Sequence, residues 1–268
     1  MSIPTAAPSA ARLVSVALAG ADGTLLHAED ADRPFYAAST IKLHVLLAVL
    51  RAADAGTLDL DHEETSRHTF TGVDGRPFTL DGDHVDPTHP ADGGPVTVRE
   101  LAVRIIDRSS NEATDHLLEL VGLDAIAAVM EDLGLAATHV ERLIGDAAAI
   151  EQGLTNEASA ADLVRTMRVL VAREPGGVAP LSDASRDLAR EALAAQQIRI
   201  IAKALRPEVP FGSKSGWVDG YRHDVAVIGD PDGQDVRYLA VMTAGIPQPE
   251  ADELIRAKVR ELLPDLSQ

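Results

Sequence analysis

The rhythm of hydrophobic and polar positions changes twice along this chain. Leu13-Val14-Ser15-Val16-Ala17-Leu18-Ala19-Gly20 is a strand-like run, Ala21-Asp22-Gly23 a turn, and Thr24-Leu25-Leu26-His27 its return, together a predicted β-hairpin. The same run resembles the apolar part of an export leader. It has only Arg12 as a preceding positive charge, and a leader would lie before such a strand, so the hairpin is preferred. From 39 to 55 apolar residues fall at 41, 43, 45, 46, 47, 49 and 50, with Gly56 beyond the end. A helix apolar nearly all round belongs inside the fold. From 61 to 95 the chain turns polar, with Gly, Pro and four histidines, and predicts an irregular excursion with at most short strands.

Helical patterning then resumes. Thr97-Val98-Arg99-Glu100 is a capping box that opens a helix to about 107. Asn111 can cap a second helix, to 122, and others are predicted over 124–133, from Ser159 to about 173, and from Ser182 or Ser185 to about 197. Strand character returns at 211–218, 222–228 and 236–244, with Asp230-Pro231-Asp232-Gly233 as a turn, and an amphipathic helix ends the chain at about 250–263. The expected class is α/β (α+β): a mostly antiparallel five-stranded sheet flanked by terminal helices, with an inserted all-helical lobe. The sheet unit is expected to join 12–38 with 198–268, and the helical lobe to span 39–197.

A net charge of −18 argues against nucleic acid or an anionic membrane as a partner. With no cysteine, thiolate metal sites, disulfides and cysteine nucleophiles are excluded together. No run of eighteen apolar residues is present, so no membrane span is expected. Without a convincing leader the expected compartment is the cytoplasm, or an exported location if a leader has been trimmed.

Three short motifs carry candidate chemistry. Ser39-Thr40-Ile41-Lys42 places a hydroxyl and an amine one helical turn apart, and burial beside a helix N-terminus disfavours the ammonium form. A neutral amine beside a serine is a nucleophile with its own base. Ser109-Ser110-Asn111 lies in a turn between two helices, where Asn111 could equally be an ordinary N-cap. Lys214-Ser215-Gly216 precedes Trp217 on a strand, with Lys214 and Gly216 on one face, and could be an edge lysine beside a loose glycine. The histidines between 62 and 89, with Asp83-His84-Val85-Asp86 foremost, match no standard zinc spacing and read as solvated loop residues. No metal or cofactor is expected.

Taken together, S-x-x-K, S-x-N and K-S-G occur in this order on a buried helix, an interhelical turn and a strand. The chain thereby resembles the class A β-lactamases and penicillin-binding proteins, closest to the class A-like branch of serine hydrolases. Arg142-Leu143-Ile144-Gly145-Asp146 and Arg222-His223-Asp224-Val225 add to the likeness. The resemblance implies that Ser39 forms an acyl-enzyme, that Lys42 takes its proton, and that Ser109 relays a proton to the leaving atom. It implies that Asn111 binds the substrate's amide side chain, and that Lys214, Ser215 and Gly216 line a site for a substrate carboxylate. The backbone N–H groups of Ser39 and Trp217 would form an oxyanion hole, and Arg222 or His223 a second cationic contact.

Three departures accompany it. Ser110 stands where the family usually has Asp, and Ser215 where it has Thr. The E-x-x-L-N stretch whose Glu activates the deacylating water is not matched. Glu151-Gln152-Gly153-Leu154-Thr155-Asn156 has one residue too many, and Asp146 is the other candidate base. The expected function is a β-lactamase-like serine hydrolase of a small, carboxylate-bearing β-lactam or related ester or amide. The alternatives are a D-alanyl-D-alanine peptidase-like enzyme or esterase with slow deacylation, and a non-catalytic binding module on the same fold. Two of only four lysines fall on motif positions, which favours chemistry.

Overall fold

A computed structural model describes residues 11–82 and 85–268 of the chain. In chain order, β1 (Leu13–Ala19) and β2 (Leu25–Glu29) form the N-terminal hairpin, followed by β3 (Phe35–Tyr36). A 3₁₀ turn at Ala38–Ile41 leads into α1 (Lys42–Asp54). The polar excursion holds four short strands, β4 (Glu63–Thr65), β5 (Thr69–Thr71), β6 (Pro77–Thr79) and β7 (Pro95–Thr97). Helices α2 (Val98–Asp107), α3 (Asn111–Val121) and α4 (Leu123–Asp132) follow. Then come β8 (His139–Val140), the short helix α5 (Ala147–Glu151), β9 (Asn156–Ala158), α6 (Ala160–Val171) and α7 (Asp183–Ala194). Three long strands, β10 (Phe211–Val218), β11 (Tyr221–Ile228) and β12 (Arg237–Ala244), precede α8 (Gln248–Leu262).

The five-stranded sheet runs β10-β11-β12-β1-β2 with every pair antiparallel, as expected. Alternation along each strand divides the core in two. Val16, Leu18, Leu239 and Val241 pack with Ile255 and Val259 of α8, while Ala17, Ala240 and Met242 pack with α1 and α6 through Leu43, Leu46 and Met167. Helix α1 is buried on all sides from Lys42 to Leu50, as its uniform apolar pattern requires. Among the described residues one terminal helix, α8, covers the sheet.

Two local details differ from expectation. The helix read from Ser39 begins as a 3₁₀ turn, so Lys42 is the first α-helical residue. Ser110, rather than Asn111, caps α3: its hydroxyl accepts from Ala113 N–H at 3.2 Å, and Asn111 is the first helical residue. Helix α5 had no sequence signal beyond Asp146, whose side chain caps it. Asp83 and His84 of the histidine-rich stretch lie outside the described residues.

Candidate active site

Three elements converge on one point. The 3₁₀ turn before α1 presents Ser39, and Ala38 beside it has φ 48°. Ser109, in the turn between α2 and α3, has φ 62°, a left-handed conformation uncommon for a residue with a side chain and concentrated at functional sites. The edge strand β10 supplies Lys214. Gly216 lets this strand approach closely, since a Cβ there would lie 3.0 Å from Ala37 O, 3.1 Å from Thr40 N and 3.2 Å from Ser39 N.

Lys42 Nζ lies 3.2 Å from Ser39 Oγ, 3.2 Å from Ser109 Oγ, 2.6 Å from Ser109 O and 2.7 Å from Asn111 Oδ1. Lys214 Nζ donates to the same Ser109 Oγ at 3.0 Å and to Ser215 O at 2.7 Å. Both lysines are fully buried. Burial pulls the Lys42 ammonium down to about 7, against the opposing pull of Asp115, Glu112 and Asp86. Burial, reinforced by the Lys42 charge, holds Lys214 well below the usual lysine range. Two amines sharing one hydroxyl favour at most one charge, so a proton-accepting amine is available near neutral pH.

These residues open on a cleft of about 750 Å³ lined by Ser39, Ser109, Asn111, Ser215, Trp217 and Arg222. Arg222 is buried and paired with Asp252 at 2.6 Å. His223 is not among the lining residues: Nδ1 accepts from Thr243 N–H, Nε2 meets Tyr36 O at 2.9 Å, and burial lowers the ring to about 4. It is a neutral structural histidine, which corrects its reading as a cationic contact. Glu151 is exposed at the end of α5. Asp146 accepts from Ala149 N–H and Val73 N–H. Neither candidate base lines the cleft, and Ile144 does.

Several site residues had no sequence signal of their own. Glu112, fully buried, accepts from Ser110 Oγ at 3.0 Å and from Asp86 N–H at 2.8 Å. A carboxylate two positions along the helix thus braces the turn in which Ser110 replaces Asp. Asp115, one helical turn after Asn111, accepts from Ile144 N–H at 2.7 Å and so holds the 141–146 segment against α3. Tyr36, Asn156, Gln197 and Ile198 complete much of the wall. In the excursion His68 contacts Asp92 at 2.6 Å and meets His89 edge-on. Among the described residues no group of three or more His, Cys, Asp or Glu could hold a metal ion. No helix there is long and apolar enough to cross a membrane.

A five-stranded antiparallel sheet, a helical layer and a Ser-Lys-Ser-Lys cleft between them define a hydrolase of the class A β-lactamase type. The family model described as "Beta-lactamase enzyme family" matches residues 11–263, and the chain belongs to that family. Among solved structures it is similar to a β-lactamase from Sphaerobacter thermophilus DSM 20745, with 27% identity over 94% of this chain and 92% of that one, at a TM-score of 0.73. An ancestral (GNCA) class A β-lactamase has 25% identity over 96% of this chain and 95% of its own, at a TM-score of 0.74. The class A β-lactamase from Mycobacterium abscessus shares the fold, with 23% identity over 94% of this chain and 93% of that one, at a TM-score of 0.75. A search of curated proteins gave no match.

Proposed function

We propose that this chain is a serine hydrolase that opens a β-lactam, or a related amide or ester, through an acyl-Ser39 intermediate that it releases slowly. The observation that carries the reading is the continuous contact from Ser39 Oγ to Lys42 Nζ, Ser109 Oγ and Lys214 Nζ. Neutral Lys42 accepts the Ser39 proton as Oγ bonds to the carbonyl carbon. The negative charge that develops on the carbonyl oxygen is met by the backbone N–H groups of Ser39 and Trp217, a pairing supported by the close approach of Gly216 to Ser39 N. As the C–N bond breaks, Ser109 gives its proton to the leaving nitrogen and is reprotonated from the lysine that holds the first proton. Ser215 and Arg222 on the cleft wall, with the fully buried Lys214 beside Ser215, supply the binding edge for a substrate carboxylate.

Release is the weaker half of the cycle. Among the described residues the carboxylates lining the cleft are Asp86, engaged by Arg104 and Thr88, and Asp219 in the turn after β10. With Ile144 on the wall and neither Glu151 nor Asp146 lining the cleft, the described residues offer no dedicated base for a deacylating water. This favours an enzyme of the peptidase or esterase kind over a fast lactamase. Intact-mass spectrometry during incubation with benzylpenicillin tests the reading. An adduct of one penicillin on wild type and none on Ser39→Ala supports it. No adduct on wild type, with no ester hydrolysis, overturns it.

A further inference from the structure

One wall of the cleft carries a phenol that the acylation chemistry leaves unused. Tyr36 ends β3, three residues before Ser39, and lines the cleft. Its backbone carbonyl is anchored by His223 Nε2. Its hydroxyl accepts a hydrogen bond from Arg142 NH2 at 3.0 Å, and the guanidinium carbon lies 5.7 Å from the ring centre. Arg142 is 3% exposed, donates from NH1 to Leu143 O, and has no hydrogen-bond partner at Nε. None of the ion pairs among the described residues includes it. Its charge is felt at Asp115, itself fully buried, without forming a pair.

A guanidinium buried without a directly paired carboxylate leaves positive potential behind the Tyr36 hydroxyl. Because the Tyr36 oxygen accepts from that cation, its remaining hydrogen-bonding capacity is as a donor, and the charged neighbour strengthens it. The cleft wall here is shared with Ile144 and Asn156. The Asn156 amide is already engaged with the backbone of Glu141 and Arg142. The substrate carboxylate was assigned above to Lys214, Ser215 and Arg222 on β10 and β11, whereas Tyr36 is carried by β3 on the approach to Ser39.

We infer that Tyr36, backed by buried Arg142, is a specificity-determining donor for a second carboxylate, carried on the acyl side of the substrate. This rests on the reading of Ser39 as the acylated nucleophile. Benzylpenicillin and carbenicillin are matched probes, identical except for a carboxylate on the benzylic carbon of the acyl side chain in carbenicillin. Second-order acylation constants for both, read by intact mass, give a ratio for wild type and for Tyr36→Phe. A hydrogen bond to a charged group is worth about tenfold or more. The expected result is a carbenicillin-to-benzylpenicillin ratio that falls about tenfold in Tyr36→Phe. A ratio unmoved by the substitution, or an equal loss with both probes, overturns the assignment while leaving Ser39 acylation intact. Failure of both penicillins to acylate wild type is a different result, and it overturns the nucleophile reading together with this one.

Discussion

Replacing Asp224 by Asn removes a buried charge that the cleft wall is built on. Asp224 lies on β11, 1% exposed, and its Oδ2 accepts from Ile200 N–H at 3.1 Å and Ile201 N–H at 2.8 Å while Oδ1 has no partner. Those bonds pin the segment after α7, in which Gln197 and Ile198 face the cleft. Burial lifts the carboxyl from 3.8 to about 6, against the opposing effect of the two N–H groups and of Lys214 and Arg222. On raising the pH the unfolded chain loses this proton first, so the folded state binds more protons between about pH 4 and 6 and stability falls across that window. The rise corresponds to about 3 kcal/mol once the group is ionised in both states. Asn has the same shape, keeps a carbonyl for the two N–H groups and does not titrate. Urea unfolding of wild type and Asp224→Asn from pH 4 to 7.5 reads the difference directly. The variant should gain about 3 kcal/mol relative to wild type between the two ends. A difference that stays constant within about 0.5 kcal/mol, a surface-like value, would refute the reasoning.

Three further outcomes follow from the site. Acylation by benzylpenicillin should rise with pH and level off above about 7, because Lys42 accepts a proton only as the free amine; a stopped-flow profile flat from acid to base contradicts this. Ser109→Ala should slow acylation about 100-fold or more through loss of the proton relay, with an unchanged circular dichroism spectrum, and a rate near wild type removes Ser109 from the pathway. Gly216→Ala should cost about 1–3 kcal/mol in unfolding measurements and slow acylation, because its methyl group meets Ala37 O, Thr40 N and Ser39 N; wild-type rates and stability would show that this close approach is not needed.

Much of this was legible in the sequence because it is local. The strand and helix periods, the capping box at Thr97 and the turn signals need only neighbouring residues, and they placed the sheet and most helices. Ser39 and Lys42 are one turn apart by spacing alone. Ser109 and Lys214, in contrast, gained meaning only through the order of the three motifs. The rest depends on contacts between distant segments. Glu112 reads as an ordinary helix acid until the backbone of Asp86 reaches it, and Ile144 reads as core until Asp115 draws its segment to the cleft. His223 looked cationic because nothing local shows that Tyr36 O and Thr243 N–H take both ring nitrogens. Glu151 resembled the missing base because its spacing is nearly right, whereas the short helix α5 carries it to the surface.

The most direct test of the central claim is the lifetime of the Ser39 adduct. Wild-type protein is acylated with benzylpenicillin, freed of excess ligand, and followed by intact mass with peptide mapping at Ser39. A cleft that acylates through Lys42 and Ser109, and whose described lining includes Ile144 and no carboxylate but Asp86 and Asp219, predicts an adduct on Ser39 that persists long after free penicillin is removed. An adduct on another residue, or one hydrolysed as fast as it forms, would contradict it.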